Sequence, residues 1–517
     1  MNTPIPIIDI FAGPGGLGEG FSSAKSENGE SSFKIKLSIE KDKFAHQTLE
    51  LRAFYRQFAY NAKPFEYYEY LRGNISRVEL FDKYKNEALK AKGEAWLATL
   101  GETENDLIDF RIQTALDGAK NWVLIGGPPC QAYSLIGRAK MRGEDKKKEE
   151  SLRTYEKDHR HFLYKEYLRI LAVHKPAVFV MENVKGLLSA EVKEQKTFER
   201  ILLDLQSPAT AIDIDAECSL NYKLFSVSKD HPKNGKTAPK DYIVRSEEYG
   251  IPQARHRIII LGIRSDIYKS SPKILLHKES VSINDVIGDL PRLRGGLSKQ
   301  TDSAREWCCA IKSVANADWM ASLPLPLRDL MIEELEKVEP NLGRGRSFIP
   351  FIVAPWKHAK WYTDYALAGI CNHESRGHIH DDLLRYFFVA AFAKHNHRSP
   401  YLNDLPRELL PKHKNAAEGL KFSDRFRVQL REKPSTTVVS HISQDGHYYI
   451  HYDPTQCRSL TVREAARLQT FPDNYFFEGN KTQQYHQVGN AVPPMLASQI
   501  ADIVANILII RDHNHHV

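Results

Sequence analysis

Cys130 follows the apolar run Trp122-Val123-Leu124-Ile125 through Gly126-Gly127-Pro128-Pro129. The glycine pair lets a backbone leave a strand sharply, and two prolines fix successive φ angles at about −65°. A thiol delivered by so rigid a turn is aimed rather than packed, which suits a nucleophile, whereas most free cysteines are small buried hydrophobes. Two other groups could work with it. Ala177-Val178-Phe179-Val180-Met181 reads as a parallel strand buried on both faces, and it delivers Glu182-Asn183 at its carboxyl end, where ligands bind in open α/β sheets. Burial disfavours the charged form of a carboxylate, so Glu182 could carry a proton to a substrate near neutral pH; the plainer reading is an ion-paired loop acid. Gln253-Ala254-Arg255-His256-Arg257 precedes Ile258-Ile259-Ile260-Leu261 and places Arg255 and Arg257 on one side of an entering strand. Paired arginines suit anionic or carbonyl oxygens, although a surface charge pair also accounts for many of them.

Those groups need a frame, and the amino-terminal segment begins one. Pro6-Ile7-Ile8-Asp9-Ile10-Phe11 reads as a buried strand, followed by a glycine-rich turn from Ala12 to Gly20 that opens a helix. Glycines there let a ligand approach the backbone, and the helix start offers unpaired N–H groups. The turn has neither the dinucleotide fingerprint nor the Lys-Ser/Thr ending of a phosphate loop. The next strand, Lys34 to Ile39, ends at Glu40, roughly 20–25 residues beyond the glycines, where an acid commonly receives ribose hydroxyls. A nucleoside without a pyrophosphate fits best; a solvated carboxylate is the alternative for Glu40.

Composition bounds the rest. With 517 residues and 42% hydrophobic content, the chain can form two or three domains with a substantial core. A formal charge of +7 and pI near 8.8 permit an anionic partner without requiring one. No basic amino-terminal leader and no run of roughly 20 apolar residues is visible, so neither a membrane partner nor secretion is expected. Six cysteines without a regular framework point to a reducing compartment, and the expected location is the cytoplasm. From Ser282-Ile283-Asn284-Asp285, a capped helix start, to about Ser440 the alternation of strands and helices lapses. Basic loops such as Arg292-Leu293-Arg294-Gly295-Gly296 and Gly343-Arg344-Gly345-Arg346 lie there, suited to a nucleic-acid backbone or to ordinary turns. Cys371-x-His373 and His378-x-His380 fit no usual zinc spacing and are read as residues preceding a helix, so no metal is expected.

The ordered set Asp9-Ile10-Phe11-Ala12-Gly13-x-Gly15-Gly16, Pro128-Pro129-Cys130-Gln131, Glu182-Asn183-Val184, Gln253-x-Arg255-x-Arg257 and Gln487-x-Gly489-Asn490 resembles the DNA (cytosine-5)-methyltransferases. Leu460-Thr461-x-Arg463-Glu464-Ala465-Ala466-Arg467-Leu468-Gln469, followed by Phe471-Pro472-Asp473, adds to the likeness. The resemblance covers about residues 5–80, 121–265 and 440–510. It implies a doubly wound, Rossmann-like α/β fold with an inserted smaller domain. The expected division is a catalytic domain over 1–275, a target-recognition domain over 276–440, and a returning segment over 441–517.

The resemblance also implies roles. Cys130 would add to carbon 6 of cytosine, Glu182 would serve ring N3, Arg257 would hold the O2 carbonyl, Asn183 would orient the loop around the base, and Arg255 would steady the neighbouring phosphate or the active-site loop. S-adenosylmethionine would be the methyl donor, lined by Phe11, Gly13 and Gly16, with Glu40 on the ribose and Pro129, Leu163 and Asn490 completing the pocket. The family's adenine-binding aspartate has no clear match; Leu71-Arg72-Gly73-Asn74-Ile75-Ser76 offers Asn74, whose amide oxygen can also accept. Cytosine in a duplex must be flipped out to react, so Gln131 through Lys148 is expected to close behind it, with Gln131, Ser134 and Arg138 meeting DNA. The implied partner is double-stranded DNA, with a matching restriction endonuclease as a functional rather than physical partner, and the implied state is a monomer. Two other readings stand beside this one: a transfer RNA cytosine-5 methyltransferase, whose Cys-Phe-Thr sequence is absent here, and a noncatalytic DNA-binding protein on the same fold.

Overall fold

The computed structural model describes residues 3–26, 28–59, 62–129, 159–189, 191–192, 195–214, 220–230, 237–411 and 424–509. Its centre is an eight-stranded mixed sheet. In chain order the strands are β1 (Ile5–Ile10), β2 (Phe33–Glu40), β3 (Ala95–Leu97), β4 (Val123–Gly126), β5 (Val178–Val184), β6 (Tyr222–Ser226), β7 (Ile243–Arg245) and β8 (His256–Arg264). Across the sheet they run β3-β2-β1-β4-β5-β8-β6, with β7 also paired to β8. The first five are parallel, and β8 lies antiparallel to β5, β6 and β7. Reversal between β1 and β4 creates the crevice at which open α/β sheets bind ligands.

Alternation along β1 explains both covering layers. Ile7 faces a cluster with Leu17 and Phe21 of α1 (Gly16–Ser23) and with Leu496, Ile500 and Val504 of the carboxyl-terminal helix α14 (Pro494–Ile509). Ile8 and Ile10 face the other layer, with Ile108 and Ile112 of α6 (Asn105–Leu116) and Leu163 and Tyr167 of α7 (His159–His174). Each such side chain stabilises the fold by about 1.5–3 kcal/mol when removed from water. Glycines let the first layer close: a Cβ on Gly20 would stand 2.4 Å from both Ala497 Cβ and Pro494 O. Lys481–Leu508 is the one helical stretch among the described residues apolar and long enough to cross a membrane, and much of it is spent in this core.

Three helices separate β2 from β3 after α2 (Lys43–Arg56): α3 (Phe65–Arg72), α4 (Arg77–Lys83) and α5 (Lys85–Glu94). Their apolar faces join Phe54, Leu51 and, from the middle of the chain, Phe348, Leu367 and Cys371. The middle region has its own core around Trp307, Met331, Tyr386 and Phe387, contributed by α9 (Ala304–Lys312), α10 (Leu325–Glu336) and α11 (His380–Asn396). That core also takes in Phe426, Val428, Ile450 and Cys457, so apolar packing runs on past residue 440.

The helix expected after Cys371-x-His373 and His378-x-His380 is α11, which begins at His380 with Asp381 and Asp382 in its first turn. Ahead of it, Cys371 and His373 lie in a strand, β10 (Gly369–Glu374), paired antiparallel with β9 (Gly345–Pro350). His373 has both ring nitrogens engaged, Nδ1 with Thr461 Oγ1 at 2.9 Å and Nε2 with Pro291 O at 2.8 Å. Burial pushes its pKa down to about 4, so the ring is neutral.

Candidate active site

β4 ends between its two neighbours, with Gly126 in register with Ile10 of β1 and Met181 of β5. There the chain turns away from the sheet with Gly126 at φ 145°. A Cβ on Gly126 would stand 2.1 Å from Ile10 O, and one on Gly127 would stand 2.4 Å from Glu182 O. The glycine pair is therefore required by flanking strands as much as by the turn. Pro128 and Pro129 follow, and the turn is pinned by Asn183, whose Nδ2 donates to Pro128 O at 3.0 Å. Cys130, Gln131, Ser134 and Arg138 lie outside the described residues.

Glu182 sits at the carboxyl end of β5, and Arg257 enters β8 opposite Val184. Residues two apart share a face, so Glu182 and Arg257 are diagonal neighbours on that face. Arg257 Nε is 2.9 Å from Glu182 Oε1, with 13% and 18% of the two side chains exposed. Arg257 also donates to His256 O at 2.9 Å, which turns the guanidinium along the strand.

Arg255 stands close enough to this pair for Arg257 and Glu182 both to act on its charge. The chain leaves a short pairing of Gln253–Ala254 with Ser435–Thr436 and enters β8 at His256, just after it. Its guanidinium is buried and donates to Val438 O at 2.7 Å and Gly489 O at 3.2 Å. Burial first, and Arg257 second, push its pKa down to about 9. Arg255 thus ties the returning segment to the strand that carries Arg257. Its Nε has no hydrogen-bond partner among the described residues.

On the other side of the crevice, Phe11 adopts φ 55° and Gly13 φ 57° as the chain leaves β1. Gly13 N donates to Glu40 Oε2 at 2.7 Å, while Glu40 Oε1 accepts from Lys41 N at 2.9 Å and Asp42 N at 2.7 Å. Burial raises the Glu40 pKa, and these three donors oppose the rise. Among the described residues nothing lies within 4 Å of where a Cβ on Gly13 would be, so they leave the turn open above it. Gly16 differs: its Cβ would stand 2.2 Å from Val492 O, so its lack of a side chain serves packing against the carboxyl-terminal segment. Leu163 is buried in the cluster against which Phe11 packs. Asn490 ends α13 (Lys481–Asn490) exposed, with its Nδ2 3.3 Å from His486 Nδ1.

Asn74 is not in this group. It is exposed beyond the end of α3, where its side chain donates to Glu69 Oε2 at 2.9 Å. The strand that follows β2 in the sheet is β3, and the loop leaving it lies beside Glu40, with Ala98 N donating to Glu40 O at 3.1 Å.

The burial of one further side chain was not foreseen from the sequence. Asp9 is buried in β1, and neither of its carboxylate oxygens has a hydrogen-bond partner among the described residues. Burial raises its pKa to about 8, opposed by Arg56 and reinforced by Glu40. Its polar character at a core position of an apolar strand was the available signal. The motif at 460–469 forms the helix α12 (Val462–Leu468), capped by Thr461 and Glu464, which organises the segment behind the site. Arg463 donates to Cys371 O, Pro472 O and Tyr475 O at 2.7–2.9 Å, and Arg467 binds Asp473 at 2.8 Å and Asp289 at 2.6 Å.

Residues 94–209 and 239–506 match the profile of a family described as C-5 cytosine-specific DNA methylase. The chain is 32% identical over 536 residues to the type II methyltransferase M.Bpa9945I of Bacillus paralicheniformis, covering 99% of this chain and 100% of that protein. It is 27% identical to the DNA (cytosine-5-)-methyltransferase M.ApeKI of Aeropyrum pernix, over 80% of this chain and 87% of that one. Among solved structures, a prophage-encoded protein of E. coli assigned as a DNA modification methyltransferase superposes with a TM-score of 0.51 at 17% identity, covering 98% of this chain and 99% of its own. That last likeness is one of fold.

Proposed function

The chain belongs to the C-5 cytosine-specific DNA methylase family, and we propose that it methylates carbon 5 of a flipped-out cytosine within a short specific duplex sequence. It is a DNA (cytosine-5-)-methyltransferase, of the type II restriction-modification kind that its relatives' names describe. The observation that carries the finer reading is one geometry: Glu182, paired with Arg257, stands at the end of β5 beside Gly127, and Asn183 holds Pro128 two residues before Cys130. An acid, a carbonyl-binding cation and the root of the nucleophile's turn are thereby fixed to one strand end.

Carbon 5 of cytosine is a poor nucleophile until a group adds at carbon 6. In this reading the Cys130 thiolate forms that bond, and Glu182 supplies a proton or hydrogen bond to N3, offsetting charge that would otherwise collect on the ring. Arg257 holds O2 while keeping Glu182 oriented. Arg255 acts through the main chain, by fixing Val438 and Gly489. After carbon 5 has gained its methyl group, loss of the carbon-5 proton to solvent returns an electron pair to the ring and expels the Cys130 thiolate.

The residues at the glycine turn fit S-adenosylmethionine, because the turn is open above Gly13 and a carboxylate, Glu40, is fixed at its rim. Bound there, it supplies the methyl group. Phe11, Gly13 and Glu40 would hold its adenosine portion, with Pro129, Leu163 and Asn490 at the margins. The loop after β3 replaces Asn74 as the segment bordering Glu40. The middle region, which we take to hold target recognition, would choose the sequence, and the matching endonuclease is proposed as a functional partner only.

Labelled S-adenosylmethionine offered with duplex DNA and, separately, with transfer RNA tests this reading. Label in duplex DNA at one short sequence, mapped by base-resolution methylation sequencing, is expected. Label in transfer RNA alone would replace it with the RNA reading.

A further inference from the structure

A chain of hydrogen bonds runs from beneath the glycine turn into the middle region. Arg52 of α2 is buried; its Nε donates to Glu19 Oε2 at 2.8 Å and its Nη1 to Asn474 Oδ1 at 3.1 Å. Asn474 in turn donates to Asp364 Oδ2 at 2.6 Å and to Tyr55 OH at 3.0 Å. The same Asp364 oxygen accepts from Tyr68 OH of α3 at 2.8 Å, while Oδ1 accepts from Ala366 N at 3.1 Å just before β10. The other end touches the turn itself. Tyr475, next to Asn474, donates through its hydroxyl to Pro14 O, and that hydroxyl would stand 2.8 Å from a Cβ on Gly15. Arg52 lies over the rings of Tyr55 and Tyr475, at 4.2 and 4.9 Å, and so braces both residues.

We propose that Asp364 and Asn474 are positioning residues that couple the occupancy of the glycine turn to the placement of the middle region, so that S-adenosylmethionine and duplex DNA favour each other's binding. The inference rests on the function proposed above. A ligand on the turn fixes Pro14 and Gly15, and these are held from below by Tyr475. The neighbouring Asn474 makes its contacts to Asp364 and Arg52 inside the protein, where an unmade hydrogen bond is costly. Movement of the middle region that separates Asp364 from Asn474 therefore also disturbs the support of the turn. Coupling of binding free energies is reciprocal, so it can be read from either ligand.

Calorimetric titration of S-adenosylmethionine into the full chain, with and without a saturating unmethylated duplex carrying the target sequence, tests this. Binding in the presence of DNA is expected to be tighter by roughly fivefold or more. Asp364→Asn, which removes the charged acceptor but keeps its shape, is expected to bring that factor to about one while S-adenosylmethionine binding without DNA changes by less than about twofold. If thermal unfolding shows that this variant does not fold, Tyr68→Phe, which removes one donor to the same oxygen, is expected to lower the factor by about twofold. A factor of one in the unaltered protein, or an unchanged factor in a folded variant, overturns the coupling. No binding of S-adenosylmethionine to the unaltered protein under either condition overturns the proposed function itself.

Discussion

Arg467 and Arg257 both face acids, but their surroundings differ. Around Arg467 the charges are enclosed: its side chain is fully buried, Asp473 is nearly so, and the remaining donors reach Asp289 and Val286 O. Nearby, Arg458 binds Glu464 through both oxygens at 2.7 Å with both side chains 1% exposed, and Arg463 uses its donors on three main-chain carbonyls. The Arg257–Glu182 pair, by contrast, keeps an open side at the carboxyl edge of the sheet. Enclosed charges fix distant segments to one another, whereas a pair that is only partly enclosed remains available to a substrate. Buried ion pairs give little net stability against an apolar replacement, but they penalise heavily the loss of one member. That penalty defines a unique arrangement at α12, and the sheet edge inherits its geometry from it through Arg255, Val438 and Gly489.

The contrast can be broken by exchanging what each region should lose. Glu182→Gln keeps the shape but removes the acid, and methyl transfer is expected to fall by roughly 10²–10⁴-fold while the denaturant midpoint barely moves. A stability loss as large as the activity loss would place Glu182 with the enclosed charges instead. Arg467→Leu should behave in the opposite way, since it strands Asp473. A loss of about 3–5 kcal/mol in unfolding free energy is expected, measured by urea titration.

Asp9 shares the burial of one region and the unmet hydrogen bonds of neither. Its folded pKa, raised to about 8 from 3.8, lets the unfolded chain ionise it first, so its contribution destabilises the protein increasingly as pH rises from about 4 to about 8. Asp9→Asn removes that dependence. Unfolding midpoints across this window should show the variant gaining on the unaltered protein by up to roughly 1.4 kcal/mol per pH unit, with nothing further gained above pH 8. A gain that stayed constant with pH would mean that Asp9 is ionised in the folded state.

The smallest expected effect separates two glycines. Gly13→Ala costs about 1 kcal/mol for a side chain at positive φ, and it should weaken S-adenosylmethionine binding because the new methyl group occupies the open side of the turn. Gly16→Ala instead forces α1 from Val492, so its unfolding midpoint should fall further than that of Gly13→Ala. The reverse order of stabilities would contradict the division between an open and a filled position.

What the sequence disclosed follows the range of the forces involved. Apolar runs such as Trp122–Ile125 and Ala177–Met181 mark parallel strands because burial on both faces requires them, and Glu182 and Glu40 were legible as polar residues where such strands end. Asn74 was misplaced because β3 has only three residues and follows three inserted helices, too short a pattern to register. The main-chain partners of Arg255 were not legible, because they stand 183 and 234 residues away and no local pattern foretells a carbonyl that distant. Gly13 and Gly16 looked alike in one motif; only the approach of Val492 distinguishes them.

The central claim, a thiol that adds to cytosine beside an ion-paired acid, is tested most directly by incubating the protein with S-adenosylmethionine and a duplex carrying 5-fluorocytosine at the target position. Fluorine cannot leave as the carbon-5 proton does, so the adduct should persist as a covalent protein–DNA complex, with the peptide bearing Cys130 attached and with no complex from Cys130→Ala. A complex that forms equally well with Cys130→Ala, or methylation that proceeds in that variant, would contradict the account.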